Sequence, residues 1–224
     1  MGTKKKKVSV RARKAAMSKK SRKKLLIALG IAAVAVIATI IILTIVVPNV
    51  GKKPASDVRK PRVAINIKDY GQITVELEPS QAPITVDNFL KLVNDGFYDG
   101  LTFHRIMEGF MMQGGDPEGT GMGGAEEQIK GEFSDNGVDN TLSHTRGTIS
   151  MARSQPMDSA SSQFFIMHAD NKGLDGQYAA FGHVIEGMDV VDAVCTDSTA
   201  VVTDNNGTVP PESQPIITSI KVLE

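Results

Sequence analysis

A run of twenty-three residues without a single charge, 25–47 (LLIALGIAAVAVIATIIILTIVV), splits the 224-residue chain into parts that belong in different surroundings. At ~1.5 Å per residue a helix of that length reaches about 35 Å, more than the ~30 Å hydrocarbon core of a bilayer. Pro48 closes the run. The spacing predicts one transmembrane helix over 25–47. A signal peptide carries a shorter apolar stretch, ~7–15 residues, followed by a small-residue cleavage site. Here the run is longer and continues into PNVGKKPASD, with no cysteine near its end to accept a lipid. The segment is therefore expected to stay as an anchor.

Charge is divided the same way. Residues 1–24 hold twelve of the 25 Lys and Arg and none of the 25 Asp and Glu, so the rest of the chain carries 13 basic against 25 acidic residues, a net −12. Basic segments resist translocation, which predicts a cytoplasmic tail at 1–24 and the remainder outside the cytoplasm. The acidic bulk excludes a uniformly basic nucleic-acid binder. The Lys4–Lys7 run beside a spanning helix is explained by topology and anionic lipid contact. Residues 48–61 (PNVGKKPASDVRKP) carry three Pro and four basic residues and read as an extended linker. Cys195 is the only cysteine, so no internal disulfide forms.

From residue 62 the apolar pattern changes. Residues 63–67 and 72–78 alternate apolar and polar around a turn at Asp69, Tyr70 and Gly71, the pattern of an antiparallel hairpin with one buried face. Pro83 opens a helix whose Val86, Phe89, Leu90 and Val93 form a stripe at helical spacing, ended by Gly96. Further strands are expected at 101–106, 111–113, 148–152, 163–168, 180–185 and 215–223. A second helix is expected at 187–194, and a polar surface loop at 196–214. Seven or eight short strands and two helices predict a mainly β fold, a closed barrel with covered ends.

Four segments stand out from a plain barrel: FHRIMEGFMMQGGD at 103–116, SMA at 150–152, SQFFI at 162–166, and LDGQYAAFG at 174–182. In their order and spacing they closely resemble the cyclophilin family of peptidyl-prolyl cis–trans isomerases, in a bacterial-like form, over residues 62–224. The resemblance implies a closed eight-stranded antiparallel barrel capped by two helices. It also implies an activity that accelerates rotation about X–Pro bonds, without metal, cofactor or covalent intermediate. It places Arg105 as the guanidinium directed at the prolyl nitrogen, and Gln113 as the residue that orients Arg105 and holds substrate backbone. Phe110, Met111, Phe165 and Leu174 would form the ring pocket, with Tyr178 as an aromatic wall. Gln163 and the Ala152–Arg153 backbone would pair with an extended proline-containing polypeptide. Phe103, Ile149, Phe164 and Ile166 are expected in the core.

Three positions depart from the family's pattern. Gly173 stands where many eukaryotic members have Trp, on the rim that binds cyclosporin, so weakened affinity for that drug is expected. Tyr178 stands where those members have His, and Arg153 where Asn is frequent. The four histidines, 104, 144, 168 and 183, have no metal-ligand spacing, and His104 is expected to point into the barrel. A barrel that only held proline segments would be expected to lack Arg105 or Gln113, and both are present.

Overall fold

The alternating segments form the expected hairpin: β1 (Arg62–Ile67) pairs antiparallel with β2 (Gly71–Leu77), Ile65 opposite Ile73. Val63, Ile65, Ile73, Val75 and Leu77 are fully buried. The structure, a computed structural model, describes residues 60–223. The tail 1–24, the apolar run 25–47 and nearly all of the linker 48–61 lie outside them. Among the described residues no helix is long and apolar enough to cross a membrane.

After the hairpin come α1 (Pro83–Asn94), β3 (Thr102–Met107), β4 (Met111–Asp116), β5 (Thr148–Met151), β6 (Phe164–Met167), β7 (Ala180–Glu186), α2 (Met188–Ser198) and β8 (Ile217–Leu223). All eight strands lie in one antiparallel sheet, in the order β3-β4-β6-β5-β7-β2-β1-β8. The sheet curls around a core in which the Phe89 ring of α1 meets those of Tyr98, Phe164 and Phe181 at centroid distances of 5.2, 5.6 and 5.2 Å. Phe103, Ile149, Phe164 and Ile166 are all 0 % exposed, as expected of core residues.

The expected closure of the barrel is not found. The ladder ends at β3 and β8, which share no ladder; Thr102 bridges Ile216, just before β8, with Ile217 N–H donating to the Leu101 carbonyl at 2.8 Å and Phe103 N–H to the Pro215 carbonyl at 3.0 Å. Beyond that point the free edge of β3 is taken by the loop after α2. Ile106 N–H donates to the Gly207 carbonyl at 2.8 Å, and Val209 N–H to the His104 carbonyl at 3.0 Å. A segment already seated on an edge leaves no ladder groups for another strand. The expected surface loop at 196–214 is found in part: residues 203–206, 208, 211 and 212 are exposed. α2 runs on to Ser198, and Val209 and Gln214 are buried against β3 rather than solvated.

α1 starts with Pro83 in its first turn, where a missing N–H costs nothing, but its N-cap Ala82 has no side chain to cap with. The buried carboxylate of Glu132 does this from a distance in sequence. It accepts from Ile84 N–H at 3.1 Å, Thr85 N–H at 2.7 Å and Thr85 Oγ at 2.8 Å. An anion at the positive end of a helix, satisfying otherwise orphaned donors, fixes α1 on the sheet.

Candidate active site

The two-residue period of a strand sorts β3, β4 and β6 into two faces. Ile106, Met112, Phe164 and Ile166 point into the main core. Met111, Phe165 and Met167 point the other way and form a second, smaller apolar cluster with Met107, Phe110, Ala152, Leu174 and Tyr178. Strand register then brings the candidate polar residues onto that second face. Arg105 lies opposite Gln113, and Gln113 opposite Phe165. Two irregularities in the β3–β4 ladder, around Phe103, let Phe103 stay in the core while Arg105 emerges on the other side.

Phe110 reaches this face from the turn between β3 and β4. His168, just past β6, holds the turn. Its Nδ1 accepts from Gly109 N–H at 2.7 Å, and its own N–H donates to the Phe110 carbonyl at 2.9 Å. Gly115 allows the segment just before β6 to pass. A Cβ there would lie 2.6 Å from the Ser162 carbonyl oxygen, and its φ of +83° suits glycine.

Arg105 is held by three contacts. Nε donates to the Asn206 carbonyl at 2.8 Å, Nη1 to Gln113 Oε1 at 3.3 Å, and Nη2 faces Met107 Sδ at 3.4 Å. Gln113 Nε2 donates in turn to Gln163 Oε1 at 2.8 Å. Gln163 Nε2 then donates to the carbonyls of Gly121 (3.1 Å) and Gly123 (2.7 Å). A guanidinium only donates and a backbone carbonyl only accepts, so both ends of the relay fix the orientation of both amides. Burial pulls Arg105 below its usual value, which is so high that the group stays charged. Gln163, expected to pair with substrate, has its Oε1 and both Nε2 protons engaged within the protein. Gln113 keeps one Nε2 proton without a partner among the described residues. The Ala152 N–H is likewise taken, by the Gln163 carbonyl at 2.9 Å.

Behind the apolar wall, His144 stacks on Phe165 with centroids 5.9 Å apart and meets the Tyr178 ring edge-on at 6.5 Å. Burial holds this imidazole below its usual range, against the pull of Asp175. Its Nδ1 lies 2.9 Å from Asp175 Oδ1 and its Nε2 3.0 Å from Ser150 Oγ. The carboxylate accepts only, so the neutral ring carries its proton on Nδ1 and Ser150 donates to Nε2. Burial alone would raise Asp175. The hydrogen bonds it accepts from His144 N–H, Ser143 Oγ and the His144 ring bring it below the carboxylate range.

These groups line a cleft of about 670 Å³, with Arg105 and Gln113 beside Phe110, Met111, Phe165, Leu174 and Tyr178. Ala152 and Arg153 lie at its edge, so every expected site residue but Gln163 borders it, and Gln163 borders a neighbouring cavity. His104 also lines the cleft; it is nearly fully buried, and neither ring nitrogen has a partner in the described structure. The opposite wall was not foreseen: Thr203, Asn206, Thr208, Val209 and Gln214 come from the loop seated on β3. The seats of Arg105 and Gln163 are backbone carbonyls, which any residue supplies, so no side-chain pattern marks them. The site thus combines an apolar wall with two pinned guanidiniums, Arg105 and Arg153, and one free amide proton on Gln113, an arrangement suited to a peptide.

Comparison with known proteins gives the family. The family described as cyclophilin type peptidyl-prolyl cis-trans isomerase/CLD matches residues 62–222. Peptidyl-prolyl cis-trans isomerase A of Dickeya dadantii is 42 % identical over 165 residues, 69 % of this chain and 80 % of that protein. Isomerase B of Bacillus subtilis is 46 % identical over 123 residues, 55 % of this chain and 82 % of that protein. A crystal structure of a Cryptosporidium parvum cyclophilin type isomerase aligns with a TM-score of 0.65 at 31 % identity, over 74 % of this chain and 99 % of that one. The same protein has also been solved in the presence of the dipeptide Ala-Pro. The chain belongs to the cyclophilin family, and its enzymatic class is that of a peptidyl-prolyl cis–trans isomerase.

Proposed function

We propose that the cleft turns X–Pro bonds by setting Arg105 against the prolyl nitrogen, and that it does so outside the cytoplasm as a tethered folding catalyst. Rotation about the bond is opposed by ~18–20 kcal/mol because the nitrogen lone pair is delocalised into the carbonyl. In the twisted state the lone pair returns to nitrogen, and a fixed donor beside it favours that state over both planar ones. The observation that carries this reading is the pinned Arg105. Its Asn206, Gln113 and Met107 contacts hold the cation beside the apolar wall of Phe110, Met111, Phe165 and Leu174. Phe110, Met111, Phe165 and Leu174 would receive the proline ring, while the spare Gln113 N–H would meet a substrate carbonyl. Gln163 acts by holding Gln113, and Tyr178 by walling the pocket.

The test is the isomerisation rate of a short X–Pro peptide with the full chain in detergent. A rate equal to the uncatalysed one removes the reading. Gly173 leaves the rim without an indole, so cyclosporin would bind more weakly than to members that carry Trp; a fluorescence titration reads this directly.

The location rests on the uncharged run 25–47 and on the twelve cations before it. Uncatalysed prolyl isomerisation takes ~10–100 s, and a tether keeps the catalyst where chains emerge. Protease added to intact cells should release the catalytic domain. Its full protection there would place the domain on the cytoplasmic side instead.

A further inference from the structure

Arg153 is expected to matter through its backbone, yet its side chain is held on several sides at once. Its Cζ lies 5.1 Å from the Phe133 ring centroid and 5.0 Å from that of Tyr178. Nε donates to the Gln177 carbonyl at 2.9 Å, and Nη1 to the carbonyls of Ser154 (2.9 Å) and Gln155 (3.1 Å). A guanidinium has five N–H groups. The two on Nη2 have no partner among the described residues, so they are the ones left for a ligand. A cation held by two rings and bonded along one edge has lost its side-chain freedom before anything binds.

Its position is as telling as its restraint. Arg153 lines both the 670 Å³ cleft and a neighbouring cavity of about 390 Å³, which also share Gln113, Gly121, Met122 and Ala152. No Asp or Glu among the described residues lines either one. This stands out in a chain that carries a net −12 after residue 24. The groove therefore holds two fixed guanidiniums and no lining carboxylate. Arg105 is assigned to the proline, and Arg153 sits further along.

We propose that Arg153 gives the enzyme a preference for proline segments that carry a carboxylate, an Asp or Glu side chain, one or two residues from the proline. This rests on the reading above for where the proline sits. The Nη2 protons supply charge-assisted hydrogen bonds to the carboxylate. The acidic surface opposes approach from afar, but that field fades over ~8 Å at physiological ionic strength, so the cation at contact range decides.

The test uses the full chain in detergent and one peptide frame, with Glu, Ala or Lys placed in turn one and two residues before the proline and one and two after it. Both kcat/KM for isomerisation and Kd are measured. At one of these positions Glu should exceed Lys by about fivefold, the upper end for a partly exposed ion pair. The ratio should shrink in 1 M salt and approach one in Arg153→Gln. A ratio of one, or in favour of Lys, at every position overturns the preference, as does a ratio that Arg153→Gln leaves unchanged. If Arg153→Gln does not fold, the wild-type ratio and its salt dependence decide alone. Catalysis without charge preference sinks only this inference. Preferential binding of Glu peptides without catalysis sinks only the isomerase reading.

Discussion

Arg105 draws its three contacts from three stretches of chain: the hairpin partner Gln113, its own strand at Met107, and the distant Asn206 carbonyl. Lysine would keep the charge but not the fork, so Arg105→Lys should lower kcat/KM at least ~10-fold and Arg105→Ala ~100-fold. Near-UV circular dichroism should stay unchanged in both. A different outcome is expected at Cys195, where burial pushes the thiol up to about 12. Iodoacetamide at neutral pH should leave it unmodified until the domain is unfolded. Arg105 and Gln113 were legible in the sequence because the motif fixes their spacing across a hairpin. Asn206, Gly121 and Gly123 were not, since each contributes a carbonyl and no side-chain chemistry. Arg153 was read for its backbone, because only the fold shows the two rings that hold its side chain.

The hairpin β1–β2 and helix α1 were legible from their period, whereas β4, β5 and β6, buried on both faces, were legible through the motifs that contain them. Closure of the barrel was not, because it depends on which segment takes the free edge of β3, and periodicity does not record that competition. The loop that wins is itself open to test. A Cβ on Gly207 would lie 2.4 Å from Met107 Cγ and 2.5 Å from the Ile106 carbonyl oxygen, at a φ of +83°. Gly207→Val should push the loop off β3 and move the Asn206 carbonyl from Arg105, so kcat should fall more than KM rises. At α1 the borrowed cap was equally hidden, because Glu132 lies far from the helix in sequence. Glu132→Ala strips two N–H groups and a hydroxyl of their buried acceptor and should cost about 2–3 kcal/mol in urea unfolding.

Across the whole molecule, buried histidines set the response to acid. Burial holds His104 and His144 below the ordinary 6.5 of an imidazole. The folded protein therefore binds fewer protons than the unfolded chain once the pH drops to that value. Stability is full above it and is lost as pH falls further. Asp116 and Asp175, both held below the ordinary carboxylate value of 3.8, add a second loss of the same sign at lower pH. Calorimetry should show Tm falling from pH 7 to 5 and again towards pH 3. A Tm that held constant over that range would contradict the burial of both rings.

The two-faced strands have a consequence for how this gene tolerates error. In β4 and β6, Met112, Phe164 and Ile166 serve the core, while Met111, Gln113 and Phe165 serve the cleft. A missense change therefore strikes folding or catalysis, seldom both. An in-frame deletion of one codon within β4 turns over the remainder of that strand, so core and cleft positions on it exchange and both roles are lost at once. In a saturation library, substitutions along these strands should sort into two alternating phenotypes, poor yield and poor turnover, while single-codon deletions should give neither protein nor activity.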